Sequence, residues 1–301
     1  MSQPASAGAG SVDFLITKGS SASLIADNLK EKGLIKSSLA FRIYTQITGI
    51  SKKIQAGEYP LSAGDSLFKI ADLLTKGPRE LWVTIPEGLR REQIAVKFAT
   101  GLSKKDEASF VEVFLTVSSG KEGYLFPDTY LFPKDATPEG IVNKMLTTFE
   151  KKTNLDTSLK STKDIIILAS IVERETLSDE ERPIVAGILD KRVKARWPLQ
   201  ADATLQYAAA TVRCAGNLLD CKWWEPVLKA DLEIKSAYNT YKYPGLPPGP
   251  ICNPGLSSIK AALAPTASDY WYYLHDAGGA IHYAKTIEEH NLNIQKYLNR
   301  E

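Results

Sequence analysis

The chain has 301 residues, room for about two domains, and an ordinary globular composition of 44% hydrophobic and 24% charged residues. With 37 basic against 35 acidic side chains the net charge is +2, which removes the electrostatic case for a nucleic-acid partner. No apolar run approaches the roughly 20 residues of a membrane span, so the chain as given reads as soluble. The histidines His275, His282 and His290 all fall near the C-terminus, and no Cys/His spacing resembles a zinc site, so neither a metal nor a cofactor is expected.

Residues 1–11 lack the charged-then-apolar pattern of a signal peptide and read as a flexible linker behind a removed anchor. A short repeat follows. Gly19, Gly64 and Gly88 each precede an Ile-Ala pair (Ile25, Ile70, Ile94), and closing glycines stand at Gly33, Gly77 and Gly101. The pattern predicts a strand, a Gly turn, a short helix and a Gly cap, three times over. Ser20, Asp65 and Arg90-Arg91-Glu92 sit at the helix entries. Residues 37–48 add a helix and Gly57–Leu61 a strand. The first copy with these two additions resembles a LysM-like module.

Asp106 to Leu115 reads as a helix. Glu122-Gly-Tyr-Leu-Phe-Pro-Asp-Thr-Tyr-Leu-Phe-Pro133 is too punctuated for a central strand. Its aromatic faces suit stacking on sugar rings, or packing of a loop onto the core. Thr137 to Lys152 is a helix with Pro138 in its first turn.

Residues 161–176 are an apolar stretch that ends in acid. Ser161 or Thr162 can cap a helix start, and from Ile165 to Val172 only Ser170 is not apolar, as in a buried helix. Glu173 follows Ala169 by four and Ile166 by seven, so it shares a face with core residues. A carboxyl at the edge of an apolar interior loses solvation, its pKa rises, and it becomes a usable general acid. Glu175 has the same standing, four after Ile171 and seven after Leu168. Two residues apart on a helix, the acids point roughly 160° from each other, so one cleft takes only one. The alternative is a solvated last turn with one acid paired to Arg182.

Arg182 to Arg196 is a second helix. In Leu199-Gln-Ala-Asp-Ala-Thr-Leu-Gln-Tyr207 the polar Gln200, Asp202 and Thr204 alternate, so an extended segment aims all three to one face. Residues 209–235 read as an insertion. Within it Cys214 and Cys221 are a candidate disulfide in an oxidising compartment, with a reduced pair as the alternative. Tyr238-Asn-Thr-Tyr241 leads into a rigid Pro/Gly loop to Gly255. Ser257 or Ser258 starts a helix to Leu263. Tyr270–His275 and Ile281–Lys285 make a hairpin, and Thr286 with Glu289 a capping box for the last helix.

Taken together these blocks resemble the endolytic murein transglycosylase family (MltG, YceG-like). They are Ile85-Pro-Glu-Gly88, Glu122 to Tyr130, Leu168-Ala-Ser-Ile-Val-Glu-Arg-Glu-Thr176, Leu199 to Thr204, Tyr238 to Tyr241, Gly245 to Ile251, Asn253-Pro-Gly-Leu, His282-Tyr-Ala-Lys-Thr and Glu288-Glu-His-Asn291. The resemblance implies an α+β fold, with an N-terminal LysM-like βα module over 12–80 and a mixed α/β catalytic domain over 81–301. It implies cleavage of peptidoglycan between N-acetylmuramic acid and N-acetylglucosamine, leaving 1,6-anhydro-muramyl ends and so terminating nascent strands. It places the general acid/base on Glu173. Gln200, Asp202, Thr204, Tyr238, Asn239 and Tyr241 are then candidates for holding the acetamido sugars. Peptidoglycan is the expected partner, with peptidoglycan synthases, on the extracytoplasmic face of a membrane reached through an N-terminal anchor absent from this chain. Two rivals stand beside this: a hydrolytic muramidase with Asp202 as second carboxylate, and a non-catalytic peptidoglycan-binding scaffold.

Overall fold

A computed structural model describes residues 10–298; residues 1–9 of the expected linker lie outside the described residues. In chain order the elements begin β1 (Ser11–Ile16), α1 (Ala22–Glu31), α2 (Ser38–Ile47), β2 (Gly57–Ser62), α3 (Leu67–Thr75), β3 (Glu80–Thr84), α4 (Arg91–Gly101) and α5 (Glu107–Val117). Then come β4 (Thr129–Pro133), α6 (Pro138–Thr153), α7 (Lys160–Glu175), α8 (Arg182–Lys194) and α9 (Asp202–Arg213). The described chain ends with α10 (Leu256–Leu263), β5 (Tyr272–His275), β6 (Ile281–Ala284) and α11 (Ile287–Tyr297). Helices and antiparallel sheets are thus mixed, in line with the expected α+β class.

The chain divides into two compact units. The first takes the chain up to Thr84 with 98–105 and 129–137; the second takes 85–97, 106–128 and the rest.

In the first unit four strands form one antiparallel sheet in the order β1-β2-β3-β4. Period-two alternation sets the register: Phe14 lies opposite Tyr59, and Phe14, Ile16, Tyr59 and Leu61 are all buried. The helices return their apolar stripes to the same core through Ile25, Ala26 and Leu29, then Phe41, then Leu67, Ile70, Ala71 and Leu74. Each such side chain contributes about 1.5–3 kcal/mol by leaving water.

The repeat appears as β1–α1, β2–α3 and β3–α4. Its helix entries lie one residue beyond the expected Ser20 and Asp65. The Ser21 and Ser66 hydroxyls accept from Leu24 N and Lys69 N, while Asp65 pairs with Lys69 at 2.6 Å. Gly33 and Gly77 close their helices at φ +67° and +87°. The third copy differs. Gly101 stays in the helix, where a Cβ would come within 3.0 Å of Val83, and Ser103 takes the left-handed position at φ +52°.

Most aromatics of 122–133 face the core and not outward for sugar stacking, and Tyr124 is half-buried, edge-on to Phe149 at 5.3 Å. Leu125, Phe126, Tyr130 and Phe132 are buried, and Phe98 meets Phe132 edge-on at 5.6 Å. β4 pairs on one side only, with β3, which suits a proline-flanked edge strand.

The second unit is built on α7. Ile166, Ile167, Leu168, Ala169, Ile171 and Val172 are all buried, packed with residues of α8 and α10. The polar exception explains itself: Ser170 Oγ donates to Ile167 O and accepts from Ile251 N at 3.0 Å, pinning the Pro/Gly loop to the helix. The start of α7 corrects the expected cap at Ser161 or Thr162. It begins at Lys160 after Leu159, with no side-chain cap, and Thr162 is buried.

Asn253 ties two loops to its own without any regular structure there. Its Oδ1 accepts from Gly123 N and Leu125 N, both at 2.9 Å. Its Nδ2 donates to Leu89 O at 2.9 Å and to Glu122 Oε1 at 2.7 Å.

Residues 199–207 correct another expectation. The segment is not extended; α9 begins at Asp202, so Asp202 and Thr204 are helical neighbours and not alternate members of a strand. Cys214 and Cys221 are joined in a disulfide that closes the turn after α9. In α11 the capping box is half formed: Thr286 Oγ1 accepts from Glu289 N, but Glu289 Oε2 reaches Lys285 N. Among the described residues no helix is long and apolar enough to cross a membrane.

Candidate active site

The last turn of α7 carries Glu173 and Glu175 to two different environments, as their spacing requires. Glu173 is held at the junction of α7, α8 and α10. Its Oε2 accepts from Gly255 N at 3.0 Å and Ser258 Oγ at 2.7 Å, and its Oε1 lies 3.5 Å from Arg182 Nη2. Arg182 also donates to Ser258 Oγ at 2.9 Å and pairs with Asp179. This is the structural ion pair that the sequence offers as the alternative role for an acid here. A second carboxyl, Glu87, lies against Gly255; burial and the Glu173 charge push its pKa up, and Arg182 opposes them.

Glu175 instead lines a cavity of about 560 Å³ with Arg192, Gln200, Asp202, Tyr241, Tyr272, Tyr273, His275, His290 and Asn291 among its walls. Tyr273 donates to its Oε2 at 3.0 Å and Ala203 N to its Oε1 at 3.5 Å. Burial pushes its pKa above the ordinary carboxylate value, and the Asp202 charge adds to the rise. The Tyr273 and Ala203 hydrogen bonds and the proximity of His275 only partly offset this. Glu175, Asp202 and His275 also line a second cavity of about 270 Å³, with Arg174, Leu177, Ala203 and Gln206. The carboxyl therefore stands where two cavities meet.

Three of the six candidate sugar-holding residues gather there. Gln200 is held at φ +50°, a left-handed conformation uncommon for a side-chain-bearing residue. Its N–H is tied to Thr240 O at 3.1 Å. Asp202 begins α9 and accepts from Tyr241 Oη at 2.5 Å; burial and the Asp202 contact push the Tyr241 pKa up, so it stays a donor.

The other three support the walls. Thr204 is fully buried, its Oγ1 bonded to Ala201 O and Thr240 Oγ1, both at 2.8 Å. Asn239 is fully buried, its Nδ2 donating to Leu232 O and Ile234 O and its Oδ1 accepting from Tyr241 N. Tyr238 packs on Tyr207 with ring centroids 4.7 Å apart.

Several residues of the site carried no separate signal in the sequence. Arg192 is buried and bonds the Trp271 carbonyl through Nε and Nη2 and the Leu199 carbonyl through Nη1, tying the hairpin to the segment before α9. Tyr273 comes from β5. His290 stacks on Tyr272 at 5.1 Å, its Nδ1 buried without a partner among the described residues. His290 and Asn291 lay inside a matching block, yet nothing local placed them opposite Glu175. Among the described residues no group of three His, Cys, Asp or Glu side chains is placed to hold a metal ion.

Comparison with known proteins follows the same line. The model of the YceG-like family matches residues 14–296. The chain is 36% identical to the endolytic murein transglycosylase of Bacillus subtilis, covering 95% of this chain and 85% of that protein. It is 29% identical to the endolytic murein transglycosylase of Streptococcus pneumoniae, over 94% of this chain and 58% of that longer protein. A crystal structure of a YceG-like protein from Listeria monocytogenes matches with a TM-score of 0.63 at 28% identity, covering 94% of this chain and 98% of that one.

Proposed function

The chain belongs to the YceG-like family, and on that premise we propose that it is an endolytic transglycosylase of peptidoglycan with Glu175 as its general acid and base. One observation carries the assignment. Glu175, and not Glu173, shares the large cavity with Gln200, Asp202 and Tyr241, and burial favours its protonated form. The resemblance in sequence points to Glu173, but that carboxylate is engaged by Gly255, Ser258 and Arg182.

In the reaction Glu175 gives its proton to the oxygen between N-acetylmuramic acid and N-acetylglucosamine, and the bond from that oxygen to the muramyl C1 breaks. The muramyl C6 hydroxyl then bonds to C1 and its proton returns to the Glu175 carboxylate. The product is a 1,6-anhydro ring and the acid is restored. No water is consumed and one carboxyl serves both steps. The attack is intramolecular, so holding the sugar in place supplies much of the rate. Gln200, Asp202 and Tyr241 are the holding groups. Thr204, Tyr238 and Asn239 keep the wall rigid.

The antiparallel β1–α1–α2–β2 unit is read as a LysM-like glycan-binding module, and the second unit as the catalytic domain. The working place is the extracytoplasmic face of a bacterial membrane, beside peptidoglycan synthases, where strand cleavage terminates nascent glycan. The Cys214–Cys221 disulfide suits that oxidising side.

A second reading has its own observation: Asp202 shares the cavity with Glu175 and would let water attack. A digest of purified glycan strands, read by mass spectrometry, separates them. Anhydro ends from the wild type and none from Glu175→Gln are expected. Reducing muramic ends would establish hydrolysis. Undiminished anhydro ends from Glu175→Gln, with loss in Glu173→Gln, would return the role to Glu173. Binding with no product of either kind would leave a scaffold.

A further inference from the structure

The smaller cavity beside Glu175 sets one arginine, Arg174, beside the carboxyls Glu175 and Asp202, which are bonded to Tyr273, Ala203 and Tyr241. Arg174 lies between Glu173 and Glu175 in sequence, is exposed, and lines this cavity with Leu177, Gln206 and His275. Among the described residues it makes no ion pair. Its guanidinium carbon lies over the Trp224 ring, 4.1 Å from the centroid. A guanidinium stacked by its face keeps its N–H edges free, and those edges match a carboxylate in two parallel hydrogen bonds.

The platform under Arg174 is itself built. Trp224 Nε1 donates to Gln93 Oε1 at 3.1 Å, and the same oxygen accepts from Arg90 N at 3.1 Å. The preceding Trp223 is buried and covers the Arg90 guanidinium at 4.4 Å. The Cys214–Cys221 disulfide closes the turn just before this tryptophan pair in the chain, and Arg213 pairs at 3.3 Å with Glu225, the residue just after it. The insertion after α9 matches no motif of the sequence, yet it delivers two indole rings to two arginines, Trp223 to the buried Arg90 and Trp224 to the exposed Arg174. An elaborate support for an unpaired cation at the edge of a cleft points to an anionic part of the ligand.

We propose that Arg174, set on Trp224, is a specificity residue that receives a carboxylate of the peptide borne by the muramyl sugar. This rests on the peptidoglycan reading above. In a peptide-bearing strand the muramyl lactyl carboxyl is held as an amide, so the peptide carboxylates are the anions that such a strand brings to this cavity. The large cavity with its tyrosines takes sugar; the small one takes the peptide root. The enzyme then prefers strands whose peptide carboxylates are free over strands in which those carboxylates are blocked.

The test compares three substrates: strands with peptides, strands stripped by an amidase whose exposed lactyl carboxylates are then converted to methylamides, and peptide-bearing strands whose carboxylates are converted to methylamides. The readout is kcat/KM for release of anhydro ends. Wild type is expected to favour the first substrate over the second by about tenfold, the scale of one charge-assisted pair. Methylamide strands should behave as stripped ones. Arg174→Gln should bring the ratio close to one, Arg174→Lys should restore part of it, and Trp224→Leu should lower it by freeing the guanidinium. The methylamide arm needs no variant, so it stands whether or not Trp224→Leu folds. An unchanged ratio in Arg174→Gln, or no effect of amidation on the wild type, overturns the inference alone. A wild type that releases no anhydro ends from any substrate overturns the functional reading, and the inference with it.

Discussion

Glu173 and Glu175, two residues apart on α7, serve opposite sides of one helix: the first is bonded to Gly255, Ser258 and Arg182, the second to Tyr273 and Ala203 in the cavity. Their substitutions should therefore separate. Glu175→Gln is expected to lower kcat by about 10²–10⁴-fold. It should not lower stability. The folded pKa of Glu175 is raised, so the carboxylate costs stability as pH rises through that pKa, and glutamine has no such cost. Glu173→Gln should lose about 1–3 kcal/mol by leaving Arg182 underpaired. Urea unfolding at pH 8 beside a turnover assay checks both. A stable, inactive Glu173→Gln with an active Glu175→Gln would reverse the assignment.

The alkaline limb of kcat/KM should report the proton on Glu175, with its midpoint above that of a free glutamate. Two neighbours should move it in opposite directions. Asp202 raises the pKa of Glu175, so Asp202→Asn should shift the limb to lower pH. The Tyr273 hydrogen bond lowers it, so Tyr273→Phe should shift the limb to higher pH. Both variants will also be slower, since both residues line the cavity. The position of the limb, read from a pH–rate profile, is the measurement, and parallel shifts would remove Glu175 from the acid role.

Asn253→Ala should be among the most damaging changes away from the cavity. It strands Gly123 N and Leu125 N at once in a buried place and takes a donor from Glu122, while Leu89 O keeps the Asn253 backbone N–H. Each unsatisfied group costs about 1–3 kcal/mol, partly relieved by water. A loss of about 2–4 kcal/mol in denaturant unfolding is expected. A loss under 1 kcal/mol would mean the three loops hold their positions without it.

Reduction of the Cys214–Cys221 disulfide should lower stability by about 2 kcal/mol, the scale for a short closed loop. Cys252 is fully buried, and burial pushes its thiol pKa up, so it should stay unreactive in the native state. Thiol counting with an alkylating reagent should find none in the native oxidised protein, two after mild reduction, and three on unfolding. A native label on Cys252 would contradict its packing.

Much of the first unit could be read from pattern because its signals are local. The glycine spacing, the alternation around Phe14 and Tyr59, and the serines ahead of apolar stripes each act within a few residues. Errors of one residue at Ser21 and Ser66 arose where a serine stood beside a stronger-looking neighbour. The site was legible in content and not in arrangement. Glu175, Gln200, Asp202 and Tyr241 are all present in the motifs, but a periodicity of 3.6 gives both acids of α7 an apolar face. Only the packing of α8 and α10 on one side, and of β5 and α9 on the other, tells them apart. The segment at 199–207 misled because alternation over so few residues also fits the turn that leads into a helix. The polarity of Thr204 is consumed internally, by Ala201 and Thr240. Arg174 gave no sign at all, since its meaning depends on Trp224, fifty residues away in the chain.

The walls of the large cavity run from Glu175 to Leu298, and Arg192 is satisfied only once the Trp271 carbonyl has arrived. Glu175 is therefore synthesised well before most of the residues that wall it in. A chain still emerging from the ribosome has Glu175 without Tyr273, His290 or Asn291 to face it. On the proposed role of Glu175, a copy cut short before β5 lacks these walls and should release no product from glycan strands.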